Sequence, residues 1–286
     1  MAGIGSSNLL NMTRRGFLGA AAAAGAGLLA GCGSSASSGS GTTAATEAAT
    51  TDDGTYTLVE DGKLTVASDL AFPPFDSLDG DTPVGFDVDI SKGIAEKLGL
   101  ECSYLPAQNF DTIIPTIKAG GKADIGNSAF TITDERKEEI DFTDPYLDSN
   151  QSIATASTAE RKSSEDLNAE GVKIAVQSGT TGEEWARENL TEATIVSLDE
   201  IISGMTGVST GSYDGLVIDL PVASNQIKNS FTDLKVIEQI QTGEQYGIAV
   251  SKDNKALLDA INKALADIKS DGTMDSLEQT WFGTTL

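Results

Sequence analysis

From residue 62 onward, period-two strand patterns alternate with helical ones, and that alternation restricts the chain to an α/β architecture with mainly parallel sheets. Leu64, Val66 and Ser68 alternate with Thr65 and Ala67 as a first strand, and the chain breaks at Pro73 and Pro74. Phe86, Ile90, Ile94 and Leu98 then recur every four residues as one helix face that Gly99 ends; Asp87 and Asp89 read as its solvated side. Ile113, Ile114 and Ile117 predict a shorter helix stopped by Gly120 and Gly121, and residues 123–126 return as a strand. Thr133 caps a helix opening on Asp134 and Glu135, acids that suit the positive end of the macrodipole; Arg136 in the same turn does not suit it.

The alternation restarts at residues 172–176. Thr181 and Glu184 follow with capping-box spacing, which predicts a helix start with unpartnered backbone N–H groups. Further strands are expected around Ile195–Val196, Leu216–Ile218, Val236–Ile237 and Gly247–Val250, before a helix with Leu257, Ile261, Leu265 and Ile268 on one face. Strand, loop and helix in this second half echo those of the first.

The first 57 residues have a different grammar. Residues 1–32 carry Arg14 and Arg15 as their only charges, then an alanine-rich apolar run and Leu29-Ala30-Gly31-Cys32. A basic start, an apolar core too short to span a bilayer and small residues before a cut point describe an export signal. Thr13–Leu18 resembles the twin-arginine motif, and Leu29–Cys32 resembles a bacterial lipobox, which makes Cys32 the expected lipidated first residue. Residues 33–57, rich in Ser, Thr, Ala and Gly, are too poor in large apolar groups to build a core and are expected to act as a tether to the extracytoplasmic face of the membrane.

Composition excludes several functions. Nineteen basic residues against 43 acidic ones give a formal charge of -24, which repels a phosphate backbone, so nucleic acid is not an expected partner. Histidine is absent, which removes the commonest general base and the usual zinc ligands. Cys102, the second of two cysteines, is expected to be a small buried apolar residue rather than half of a disulfide.

Six motifs in fixed order, residues 67–75, 84–89, 131–136, 141–146, 246–249 and 271–283, resemble the family 3 extracellular solute-binding proteins of amino-acid importers. The resemblance spans roughly 62–284 and implies a two-lobed periplasmic-binding-protein fold of type II. Residues 58–150 with 246–286 would form lobe one, and 151–245 an inserted lobe two. Two crossing segments near Ser149–Ser152 and Gly243–Tyr246 would form the hinge. It further implies a non-catalytic monomer without a cofactor, whose partners are a free amino acid and the permease and ATPase subunits of an ABC importer.

An α-amino acid presents a carboxylate and an ammonium, so its binder needs one fixed cation and one fixed anion. Arg136 suits the cation, because its planar fork grips a carboxylate through two bonds. By resemblance Asp219, at the end of an apolar strand, takes the ammonium. The same resemblance has Thr131, the backbone at Ala129 and Thr180 supplement the carboxylate grip, and Phe72 and Phe110 sandwich the ligand side chain; Phe75 and Phe86 are assigned to the core. Asp69 resembles the acid that meets the distal end of the ligand, which favours basic side chains or an amide over acidic ones. Gln177 departs from the glutamine-specific pattern, where a Lys stands. A basic amino acid or glutamine ranks first, other polar amino acids including cystine second, and acidic ones last.

Overall fold

The computed structural model describes residues 56–285; the expected signal, Cys32 and the linker up to residue 55 lie outside the described residues. In chain order the first half contains β1 (Lys63–Ala67), β2 (Ser77–Asp79), β3 (Thr82–Val84), α1 (Phe86–Leu98), β4 (Glu101–Tyr104), α2 (Phe110–Ala119), β5 (Ile125–Gly126), α3 (Asp134–Glu139) and β6 (Asp141–Phe142). The chain then runs through β7 (Leu147–Ala156), α4 (Ser164–Leu167), β8 (Lys173–Gln177), α5 (Thr181–Asn189), β9 (Thr194–Leu198), α6 (Ile201–Ser209), β10 (Gly215–Asp219) and α7 (Leu220–Asn229). It returns through β11 (Leu234–Tyr246) and β12 (Ala249–Val250) and ends in α8 (Lys255–Ser270) and α9 (Thr273–Phe282).

Two five-stranded sheets define two lobes. Lobe one has the order β4-β1-β5-β12-β6 and lobe two the order β11-β7-β10-β8-β9. Pairings made by strand–helix–strand units are parallel, as at β4-β1-β5 and β10-β8-β9. The antiparallel ones occur where a crossing segment enters a sheet: β12 against β5 and β6, and β7 against β10 and β11. β7 and β11 pair along most of their length, down to Tyr246 opposite Leu147, and form the two strands of the hinge.

The faces expected of the helices are the faces that bury. Leu257, Ile261, Leu265 and Ile268 of α8 are all 1% exposed or less and pack in one cluster with Phe86, Ile90 and Ile94 of α1. Each such side chain contributes roughly 1.5–3 kcal/mol. Phe75 and Phe86 lie in the same core. Gly85 makes the entry to α1 possible: it has φ +142°, and a Cβ there would meet the Phe75 carbonyl oxygen at 2.1 Å. With no side chain in the way, the Phe86 and Asp87 N–H groups donate to the Pro74 and Phe75 carbonyls at 2.9 Å.

Two expectations need correction. Asp87 is fully buried rather than solvated, and Cys102 is half-buried, a free thiol pushed up to about 11 by burial.

Candidate functional site

The two sheets face each other across a narrow cavity of about 10 Å³ lined by Phe72, Phe110, Ala129, Thr131, Arg136, Gln177, Thr180 and Asp219, with Ser128 and Thr181 beside them. Asp69 joins through Gln177, whose side-chain amide donates to its carboxylate at 2.7 Å. All nine residues expected at the site therefore come together.

In lobe one, α3 begins as expected, with the Thr133 hydroxyl accepting from the Arg136 N–H at 3.1 Å. The Arg136 side chain turns away from Asp134 and Glu138 and, among the described residues, makes no ion pair with either. Its guanidinium lies 5.5 Å and 5.7 Å from the Phe110 and Phe130 ring centres, which themselves stack at 4.6 Å. It donates to the Thr131 carbonyl at 2.8 Å and, across the cleft, to the Gly179 carbonyl at 2.9 Å. Burial lowers its pKa, while the charges of Glu184, Asp219 and Glu244 act to raise it.

Ala129 is a non-glycine residue with φ +50°, in the left-handed region, and its N–H donates to buried Asp87 at 2.6 Å. The N–H needed for a carboxylate grip is thus already taken. What Ala129 retains is a carbonyl, an acceptor that suits an ammonium and repels a carboxylate. Asp87 also accepts from the Tyr146 hydroxyl at 2.9 Å, and burial pushes its carboxyl up to about 7. Alongside, the Ser128 hydroxyl donates to Asp76 at 2.8 Å and accepts from the Asp69 N–H at 3.3 Å. Burial raises Asp69 to about 6, the bond from Gln177 pulling the other way.

In lobe two the cavity-lining groups sit at strand ends and helix starts. The cap of α5 is Thr180, one residue earlier than the Thr181–Glu184 spacing predicts. Its hydroxyl accepts from the Glu183 N–H at 3.1 Å and donates to the Gln177 carbonyl at 2.8 Å, and Glu183 takes the Gly179 N–H at 2.8 Å. What Thr180 can offer a ligand is therefore its backbone N–H at a helix start. Asp219 occupies the cap position of α7 without capping it: its side chain makes no bond to the helix amides. Instead Oδ1 accepts from the Tyr246 hydroxyl at 2.6 Å and from Gln151 at 2.9 Å, and Oδ2 keeps lone pairs for a further donor. Burial, helped by the charge of Glu244, pushes Asp219 up to about 7; the Tyr246 bond and Arg136 oppose this.

Asp87, Gln151, Glu244 and Tyr246 support the site and were not anticipated from sequence. Asp87 had a readable signal, since Asp87, Ser91 and Ile94 form an i, i+4, i+7 stripe next to the apolar face of α1. Among the described residues no group of three or more candidate ligands is placed to hold a metal ion.

The sequence profile of the bacterial extracellular solute-binding proteins, family 3, matches residues 64–284. ABC transporter arginine-binding protein 1 of Escherichia coli strain K12 is 34% identical over 217 residues, covering 74% of this chain and 87% of that protein. An ancestral arginine-binding protein, solved with arginine and with glutamine, superposes with TM-score 0.73 at 38% identity over 78% of this chain and 99% of its own. The ancestral amino acid-binding protein AncCDT-1, a precursor of cyclohexadienyl dehydratase, matches with TM-score 0.73 at 38% identity over 77% of this chain and 96% of its own. The chain belongs to the bacterial extracellular solute-binding proteins, family 3.

Proposed function

We propose that the protein captures a free polar or basic amino acid between its lobes and delivers it to an ABC-type importer. The observation that carries this reading is the placing of Arg136 from lobe one and Asp219 from lobe two on one cavity walled by Phe72 and Phe110. Arg136 takes the ligand carboxylate, helped by the backbone N–H groups that open α5. Thr131 supplements that carboxylate grip, while Asp219 and the Ala129 carbonyl take the ammonium. Only a molecule with both charges satisfies both lobes at once, so closure reports occupancy.

At the far end, Asp69 and Gln177 meet the ligand side chain. A carboxylate rising only to about 6 stays largely ionised at neutral pH, which favours a guanidinium, an ammonium or an amide donor. The relatives named for arginine and the ancestral protein solved with arginine and glutamine support that class. The AncCDT-1 likeness does not bring catalysis with it, because the protein named there is itself an amino acid-binding precursor.

The same reading makes residues 1–32 an export signal following the twin-arginine route and Cys32 the lipidated anchor of a monomer. Residues 58–150 with 246–286 are lobe one, and 151–245 lobe two. Titration calorimetry against the twenty amino acids is expected to give at least one ligand near micromolar, about -8 kcal/mol; no heat from any of them would reject the reading. Mass spectrometry of the membrane fraction should find a mature chain starting at an acylated Cys32, and Cys32→Ser should release the protein from the membrane.

A further inference from the structure

The far end of the cavity is rich in acceptors and short of donors. Gln177, at the end of β8 in lobe two, is 2% exposed, and its amide nitrogen donates to the Asp69 carboxylate of lobe one at 2.7 Å and to the Asp199 carbonyl at 3.0 Å. An amide NH₂ has two hydrogens, so both are committed. The orientation of the amide follows: turned over, its oxygen would face a carboxylate and a carbonyl, neither of which has a hydrogen to give.

What remains open is acceptor capacity. Gln177 Oε1 is buried and meets no donor among the described residues. Asp69, 4% exposed, accepts from Gln177 through Oδ2, which leaves Oδ1 open. The hydroxyls of Ser128 and Thr180 beside the cavity add no donor: Ser128 gives its hydrogen to Asp76, and Thr180 gives its own to the Gln177 main-chain carbonyl. A buried carbonyl without a donor is destabilising, so a ligand N–H that reaches it contributes more than it would on an exposed surface.

We propose that Gln177 Oε1 and Asp69 Oδ1 together select a guanidinium, so that the ligand is an amino acid with a planar, donor-only tip rather than an amide. This deepens the proposed function and rests on it. A guanidinium carries five N–H donors in one rigid fork and no acceptor, and it gives separate hydrogens to two acceptors on opposite lobes at once. The amide and the carboxylate are already in contact at 2.7 Å, so both acceptors come within reach of one ligand tip. An ammonium serves Asp69 from a single nitrogen and has no second arm for Gln177. A terminal amide brings a carbonyl of its own, which meets acceptors on both sides. Phe72 and Phe110, on the same cavity, offer faces that take a flat cation.

The test is titration calorimetry of the full chain with L-arginine, L-lysine, L-glutamine and L-citrulline, whose uncharged ureido group copies the shape of a guanidinium but puts a carbonyl oxygen in place of one NH₂. Arginine should bind at least about tenfold tighter than lysine and about a hundredfold tighter than citrulline or glutamine. Gln177→Met keeps the length of the side chain and removes its polar atoms; arginine should then lose more affinity than lysine, bringing the two to within about threefold of each other. Thermal unfolding of the variant confirms that it folds, and the ligand series on the unsubstituted protein decides the matter by itself if it does not. Citrulline or glutamine binding as tightly as arginine, or an arginine-to-lysine ratio that Gln177→Met leaves unchanged, overturns the proposal while leaving amino-acid capture intact. If none of the twenty amino acids binds, the functional reading itself falls.

Discussion

The two lobes hold their halves of the site by different means. Lobe two presents regular ends: Gln177 closes β8, Thr180 opens α5, and Asp219 joins β10 to α7. Lobe one presents irregular backbone, with Leu70 at φ 56° and Ala129 at φ 50°, and holds it from behind with the buried carboxylates Asp76 and Asp87. A strand end in a parallel sheet opens a crevice as a consequence of topology. A left-handed alanine must be held in place. Substitutions in lobe two should therefore cost roughly the contact they remove, whereas in lobe one a residue that never meets the ligand should matter.

The largest effect is expected where that asymmetry does not apply. Arg136→Ala removes the cation itself, and losing a desolvated charge pair costs about 3–5 kcal/mol, a weakening on the order of a thousandfold by calorimetry. Loss of binding with an unchanged unfolding midpoint would separate recognition from folding.

Asp87 tests the asymmetry directly. Asp87→Ala leaves the Ala129 N–H and the Tyr146 hydroxyl without their partner, a cost of about 2–4 kcal/mol in stability, and should weaken binding about tenfold although Asp87 does not line the cavity. Adding Ala129→Gly removes the left-handed penalty and should restore affinity more than stability. Asp87→Asn keeps an acceptor for Ala129 and isolates the pH effect. Asp87 rises from the usual carboxylate range to about 7 on folding, so the folded state holds its proton longer than the unfolded chain. Its stabilising contribution is complete below about pH 4 and is lost as pH climbs to 7. Urea unfolding at pH 5 and pH 8 should show a larger loss in the parent than in Asp87→Asn; equal losses would place the titration elsewhere.

The same asymmetry explains what could be read from the sequence. β8, β10 and the faces of α1 and α8 announce themselves in the sequence, because each buries a regularly spaced set of apolar side chains. The hinge strand β7 does not, since Gln151, Ser152 and Thr155 are fully buried polar residues, and Gln151 and Ser152 donate across to Asp219 and the Ile218 carbonyl of β10 rather than pack as hydrophobes. Arg136 and Asp219 were legible from ligand chemistry and motif order. Glu244 and Tyr246 were not, as their roles arise only when β11 returns beside β7. The cap of α5 was read one residue late, at Thr181 instead of Thr180, because two adjacent threonines offer the same capping signal.

Gly179 gives an intermediate effect. It has φ +75°, and a Cβ there would come within 2.8 Å of the Asp111 Cβ on the opposite lobe. Gly179→Ala should hold the lobes apart and weaken binding about tenfold, of which roughly 1 kcal/mol is backbone strain within lobe two. Small-angle scattering with saturating ligand should show a larger radius than the parent under the same conditions; identical scattering would mean that the loop yields instead.

Ser178 sits beside it and carries the smallest expected effect. Its hydroxyl donates across the cleft to Asp111 at 3.2 Å in a solvent-exposed contact. Such a bond exchanges with water, so Ser178→Ala should change affinity by only about twofold, near 0.5 kcal/mol. Gly179→Ala and Ser178→Ala alter adjacent residues that face the same Asp111, one through shape and one through a polar bond. If calorimetry finds the second as damaging as the first, closure depends on a side-chain latch at the mouth of the cleft, and the expectation that a lobe-two substitution costs only the contact it removes fails at that point.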